Sequence, residues 1–274
     1  MSEFTGGDAL FYPIASGSSG NAVFVRCGGV SFLVDCGISM RRVKCALSAI
    51  GEDIADLSFI LVTHAHVDHT KCIGAMACRY GLPIYASRGT WELVRDDPRV
   101  SKVPWEFQHE FDAAPEIDAL PDSVRISAFS TPHDAPDSVG YRIEYDGRAA
   151  AIATDLGYVS LDVKAALFGA DLVLLESNHD LDMLNYGPYP DFLKRRVAGN
   201  RGHLSNLAAG RFAAELVSRG TRQIVLGHIS DKNNTPALAL ETVERELSRA
   251  GVDPRADVRV LVAAREEPTA ALVW

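Results

Sequence analysis

Three imidazoles and a carboxylate, His64, His66, Asp68 and His69, occupy four of six consecutive positions directly behind the apolar run Phe59-Ile60-Leu61-Val62. A β-branched and aromatic run that stops at a polar loop reads as a buried strand, and alternate residues leaving a strand end point the same way. His64 and His66 can therefore converge on one ion, while Asp68 and His69, further round the turn, can face a second. Imidazole with carboxylate suits zinc, manganese or iron, and a nitrogen and oxygen set without thiolate argues against a closed structural zinc site. The competing reading is a surface loop that is His-rich by chance. It would leave three imidazoles beside a strand end without the partners that burial demands.

The strands that could complete such a site lie far downstream. Ser127-Ala128-Phe129-Ser130-Thr131-Pro132 leads to His133, Ala149-Ala150-Ala151-Ile152-Ala153-Thr154 to Asp155, and Gln223-Ile224-Val225-Leu226-Gly227 to His228. The HxHxDH run followed by strand-end ligands in this order resembles the metallo-β-lactamase superfamily. That resemblance implies that His64, His66 and His133 hold one divalent ion, that Asp68, His69 and His228 hold a second, and that Asp155 bridges them. Asp35, which ends the strand Ser31-Phe32-Leu33-Val34, matches the superfamily's first motif, where the carboxylate supports the ligands from behind. A strand-end cap is the alternative for that residue. The implied fold is α/β, a four-layered αββα sandwich.

Length and composition agree. A chain of 274 residues, 47% hydrophobic, can bury one large core without a composition break, so a single domain over residues 1–274 is expected. The first eight residues carry no positive stretch and no long apolar segment follows, which leads us to expect a cytoplasmic protein without a membrane span. Five cysteines, Cys27, Cys36, Cys45, Cys72 and Cys78, are odd in number and form no CxxC pair, so reduced thiols are expected rather than a disulfide framework.

Periodicity predicts how these residues are carried. Hairpins are expected at Gly28-Gly29, between strands 22–27 and 30–35, and at Asp146-Gly147, between strands 139–145 and 148–153. Helices are expected near 41–50, 73–80, 90–95, 161–168, 204–219 and 236–250, with further strands at 84–86, 124–129, 172–176, 223–227 and 258–262. The proline-rich stretch 96–122 shows little periodicity and is expected to be loop with irregular strand.

Motifs outside the ligands narrow the family. Ala15-Ser16-Gly17-Ser18-Ser19-Gly20-Asn21, the segment Asn185 to Arg196, Gly202-His203-Leu204-Ser205-Asn206, and Leu226-Gly227-His228-Ile229-Ser230-Asp231-Lys232-Asn233-Asn234 closely resemble the YycJ (WalJ) family, over roughly 11–262. The resemblance implies a 5′ to 3′ exonuclease acting on DNA, with two divalent ions sharing a water as nucleophile. It sets His203 and Glu176 beside a proton-donor pair similar to that of the tRNA 3′-processing endonucleases, in which the histidine protonates the leaving oxygen. A carboxylate on one ring nitrogen fixes the tautomer and raises the basicity of the other. Asp68, His203 and Glu176 are thus the expected catalytic groups. Ser205, Asn206 and His179 are the expected substrate contacts, with His203 placed at a helix start and a loop contact kept as the alternative for His179.

Asp155 stands where β-lactamases of the commonest subclass carry cysteine, and a hard bridging carboxylate fits a symmetric two-metal hydrolase better than β-lactam turnover. Net charge of −9 sits awkwardly with DNA, whose affinity rests on Lys and Arg. Two divalent ions and the basic group Lys194, Arg195, Arg196 and Arg201 would offset it locally. Two alternatives stay open: a hydrolase of a small phosphodiester or thioester, and a metal-binding sensor or scaffold without turnover.

Overall fold

The computed structural model describes residues 9–100, 102–112, 114–118 and 120–274. The N-terminal eight residues, on which the absence of a leader was read, lie outside them. The strands are β1 (Leu10–Ala15), β2 (Ala22–Cys27), β3 (Val30–Val34), β4 (Phe59–Leu61), β5 (Ile84–Ser87), β6 (Gln108–Phe111), β7 (Val124–Ser130), β8 (Val139–Tyr145), β9 (Arg148–Ala153), β10 (Leu172–Glu176), β11 (Gln223–Gly227), β12 (Arg259–Val262) and β13 (Leu272–Val273). The helices are α1 (Met40–Ala49), α2 (Val67–Thr70), α3 (Ile73–Tyr80), α4 (Arg88–Val94), α5 (Leu161–Leu167), α6 (Leu181–Tyr186), α7 (Asp191–Val197), α8 (Asn206–Ser218) and α9 (Pro236–Arg249). Among the described residues no helix is long and apolar enough to cross a membrane.

Two mixed sheets result, ordered β13-β1-β2-β3-β4-β5-β6 and β12-β11-β10-β9-β8-β7. Their facing sides share one core, in which Phe11, Phe32 and Phe59 of the first sheet meet Tyr141, Ile143, Leu174 and Val225 of the second. The residues between them point outward: Leu33 and Ile60 pack with Leu47 of α1, Met76 of α3 and Trp91 of α4, whereas Val173 and Leu175 pack with Val163 of α5, Phe212 of α8 and Val243 of α9. Both faces of these strands are covered, which is why their sequences read as continuous apolar runs instead of alternating ones. The order of layers is helix, sheet, sheet, helix, as expected.

Pairing direction sets up the site. β3 runs parallel to β4, and β9, β10 and β11 run parallel to one another. Parallel neighbours end at the same edge, and in such sheets the crevice outside the carboxyl ends is where ligands bind.

Several sequence expectations need correction. β1, β13, α2, α6 and α7 are additional to the expected elements, and the irregular strand expected within 96–122 is β6, which closes the first sheet by pairing in parallel with β5. The helix expected from 204 begins at Asn206, because Ser205 is its N-cap and accepts from the Ala208 N–H. His203 therefore precedes the helix and does not start it.

Candidate metal centre

The HxHxDH segment is held in place by its backbone. The Asn21 N–H donates to the Asp68 carbonyl at 2.7 Å and the Cys36 N–H to the His69 carbonyl at 2.8 Å. Gly37 permits this approach, since a Cβ there would lie 1.6 Å from the Asp68 carbonyl oxygen. Asp35, Asp155 and His228 take positive φ values of 62°, 61° and 54°. Such left-handed backbone is uncommon outside glycine and clusters at functional sites, and here it turns each side chain back over the end of its strand.

The strand ends bring the expected residues together in two groups. His64 Nε2 lies 3.0 Å from His66 Nδ1, which lies 3.2 Å from His133 Nε2. Tetrahedral zinc with bonds of about 2.0 to 2.1 Å spaces its ligand atoms about 3.3 Å apart, so the three nitrogens already stand at ligand separation. Asp68 Oδ2 stands 3.6 Å from His69 Nε2 and 3.8 Å from His228 Nε2, forming the second group. Asp155 touches both: Oδ1 is 3.6 Å from His133 Nε2 and Oδ2 is 3.4 Å from His69 Nε2. Asp155 Oδ2 is buried and has no hydrogen-bond partner, an arrangement that an ion between the groups would complete.

Behind the ligand atoms, the far ring nitrogens are tied down. His69 Nδ1 meets Asp35 Oδ2 at 2.7 Å, His64 Nδ1 meets the Thr63 hydroxyl at 3.0 Å, and His133 Nδ1 meets the Gly202 carbonyl at 3.1 Å. Asp35 is itself fixed by the Thr63 N–H at 2.8 Å. Bonds of this kind fix tautomer and ring orientation in metal sites.

The electrostatics divide the two groups. Burial holds His64, His66 and His133 below the ordinary histidine range, leaving them neutral as a metal requires. Burial works the same way on His69, yet Asp35, Asp155 and Asp68 overcome it and raise that ring to about 9. His228 is likewise raised well above its usual value, against burial, chiefly by Asp155. The carboxylates that favour a proton on these two rings would equally favour a divalent cation between them.

Beside the ligand groups, His203 Nδ1 donates to Glu176 Oε1 at 2.8 Å. Glu176 is fully buried, and its other oxygen accepts from the Leu156 and Leu204 N–H groups at 2.6 and 3.0 Å. His179 is 2% exposed, and its Nδ1 lacks a partner. Asn206 is 1% exposed and its amide bonds Ser177 and Asn234, so it braces the loops under the site. Ser205 spends its oxygen on capping α8.

Two residues at the site went unread. Asp134 Oδ1 lies 3.4 Å from His66 Nε2, while Oδ2 accepts from Arg196 Nε at 2.7 Å. The Asn21 amide nitrogen lies 2.9 Å from His69 Nε2. Position next to His133 was the available signal for Asp134, and the Gly20-Asn21 motif the signal for Asn21.

The layered sheets and the His and Asp groups at their ends define a metallo-β-lactamase fold, and residues 31–229 match the family described as Beta-lactamase superfamily domain. The chain is similar throughout to exodeoxyribonuclease YycJ of Bacillus anthracis, 34% identical over 241 residues that cover 88% of this chain and 90% of that protein. Exodeoxyribonuclease WalJ of Streptococcus pneumoniae is 34% identical over 247 residues, covering 90% and 91%. Among solved structures, the metallo-β-lactamase fold protein YhfI of Bacillus subtilis superposes with a TM-score of 0.71 at 18% identity, covering 97% of this chain and all of that one, a likeness of fold. The chain belongs to the YycJ/WalJ family of the metallo-β-lactamase superfamily. It is a metal-dependent hydrolase.

Proposed function

We propose that this chain is a binuclear phosphodiesterase that degrades DNA from the 5′ end, working as one domain in the cytoplasm. The observation that carries the reading is the His203–Glu176 pair at 2.8 Å beside two ligand groups joined through Asp155. A metal-binding sensor has no use for an oriented proton donor there. The names of the relatives support DNA as the substrate, and the five free cysteines suit a reducing compartment.

Two divalent ions, zinc, manganese or iron, held by His64, His66 and His133, by Asp68, His69 and His228, and by Asp155 between them, would supply Lewis acidity to the phosphate and to the attacking water. The protein does the rest. With Nδ1 engaged by Glu176, His203 presents Nε2 to the leaving oxygen. The side chain of Asp68 is 21% exposed against 2% for Asp155, which supports assigning to Asp68 the proton that water loses. α7, tied to Asp134 through Arg196, and α6 before it carry exposed aromatics, Phe192 at 66% and Tyr186 at 88%, together with Arg195, the mix of stacking faces and positive charge that single strands favour. Arg196 and Arg201 are partly committed to Asp134 and to the His133 carbonyl.

Metal-reconstituted protein given single- and double-stranded DNA, a cyclic nucleotide and a chromogenic phosphodiester tests the reading. A 5′ label should appear first as mononucleotide. Turnover of the cyclic nucleotide alone would replace DNA with a small phosphodiester.

A further inference from the structure

We propose that the cavity beside His203 binds the nucleotide on the leaving side of the scissile bond, with Tyr158 stacking on its base; the assignment rests on the phosphodiesterase reading above. The cavity measures about 430 Å³ and is lined by residues of α5, α8 and the loops 157–159 and 198–205. Pockets of about 300 to 1,000 Å³ hold compact organic ligands, so one nucleotide fits.

The chemistry sets the direction. In an in-line displacement the water and the leaving oxygen sit on opposite sides of phosphorus. The water oxygen bonds to phosphorus, the P–O3′ bond breaks, O3′ takes the His203 proton, and the proton lost by water passes to Asp68. The products are a nucleoside 5′-phosphate and a strand one nucleotide shorter with a new 5′-phosphate. O3′ belongs to the departing 5′-terminal nucleotide, which must therefore lie against His203 on the side away from the ligand groups. His203 lines the cavity, and none of the ligand-group residues does.

Other features point to a ligand there. Tyr158 lines the cavity and is 48% exposed, an aromatic face without a protein partner over much of its area. Gly157 sets it close to the loop, because a Cβ at that position would meet the Asn200 carbonyl oxygen at 2.2 Å. His179 also lines the cavity; it is 2% exposed, its Nδ1 has no hydrogen-bond partner, and burial lowers it to about 4, so it is neutral and able to bond a base or sugar hydroxyl. Lys164 is held by Glu215 of the same cavity at 2.5 Å, which leaves Arg211, 69% exposed and 3.6 Å from Glu246, as the cation that faces a terminal phosphate.

The test uses metal-loaded protein and three probes: dAMP and inorganic phosphate in calorimetry, and 5′-phosphorylated single-stranded DNA whose terminal residue carries a base or is abasic. Tyr158→Ala should weaken dAMP about 5- to 100-fold, the size of one lost base–aromatic stack, while inorganic phosphate binds as before and Tyr158→Phe retains affinity. The same variant should raise KM on DNA with a terminal base and leave abasic-ended DNA unaffected. Equal losses for dAMP and phosphate, or equal effects on both DNAs, overturn the assignment. Tyr158-dependent binding of dAMP by protein that does not shorten DNA would sink the exonuclease reading and keep the nucleotide site. DNA shortening that is indifferent to Tyr158 would do the reverse.

Discussion

Glu176 joins His203 to the backbone of the loop that follows Asp155: Oε1 accepts from His203 Nδ1 at 2.8 Å, while Oε2 accepts from the Leu156 N–H at 2.6 Å and the Leu204 N–H at 3.0 Å. Burial favours the neutral acid, yet His203 and His228 prevail and hold the carboxyl at about 2. It is an anion throughout the working range, locked in orientation by three donors, and it aims the imidazole without exchanging protons itself.

Removing that imidazole should separate substrates by leaving group. His203→Ala is expected to slow hydrolysis of an ordinary DNA phosphodiester by about 10² to 10⁴-fold, the usual worth of a general acid. A p-nitrophenyl phosphodiester, whose leaving oxygen needs little protonation, should lose much less, with metal content unchanged. Equal losses on both would make His203 a phosphate contact.

Asp134 offers a second measurement. Its Oδ1 is buried without a hydrogen-bond partner, 3.4 Å from both His66 Nε2 and His133 Nε2, and Arg196 fixes the carboxylate from the other side. Asp134→Ala should weaken metal at the His64, His66 and His133 group by about 10 to 100-fold, the range for partners that orient ligands. Arg196→Ala should do so to a smaller degree. Competition with a chromogenic chelator reads both, and unchanged affinity in the Asp134 variant would reduce this contact to surface charge.

The ligand groups were legible because each potential ligand follows an apolar run, and parallel strands must end together. His203 and Glu176 were legible only through resemblance, since nothing local ties a strand-end glutamate to a loop 27 residues later. What escaped has a physical reason. β6 is a short edge strand whose Gln108, His109 and Glu110 are at most half-buried, so no alternation marks it. α6 and α7 are short and largely exposed, which removes the apolar stripe that announces a helix. Ser205 precedes a helical run and so caps it, and it also lines the cavity beside His203.

The bracing role of Asn206 is testable. Asn206 bonds Ser177 and Asn234 in a buried network, so Asn206→Ala strands polar partners without vacating the cleft. The variant should lose about 1 to 3 kcal/mol of stability, the cost of unsatisfied buried groups. Its folded fraction should keep the wild-type KM for DNA. A raised KM at full folding would return Asn206 to the substrate contacts.

Asp155→Asn probes the residue shared by both ligand groups. Asparagine tolerates the φ of 61° at this position, so the turn survives while the charge and one acceptor are lost. Hydrolysis should fall by more than the roughly 10 to 100-fold typical of residues outside the ligand set, and bound metal should drop below the wild-type ratio. Near-normal turnover with a full metal complement would remove Asp155 from the centre.

The protonation pattern predicts the order in which metal leaves as pH falls. A ligand imidazole must be neutral, and His64, His66 and His133 already are at pH 7, because burial lowers all three. His69, raised to about 9, and His228, also raised, carry protons at pH 7 in the metal-free protein. Metal entering the Asp68, His69 and His228 group must expel them, so its affinity should climb about tenfold per pH unit for each proton displaced, up to about 9. Falling pH restores the competing protons and empties this group first; the His64, His66 and His133 group holds its ion until the medium nears or passes below the ordinary histidine range. Calorimetric titration of chelated protein at pH 7 in two buffers of different ionisation heat should register proton release for one binding step and little for the other. Metal content followed downward from about pH 9, past the ordinary histidine range to about pH 4, should fall in two stages, and a single joint loss, or earlier loss from the His64 group, would contradict the assignment.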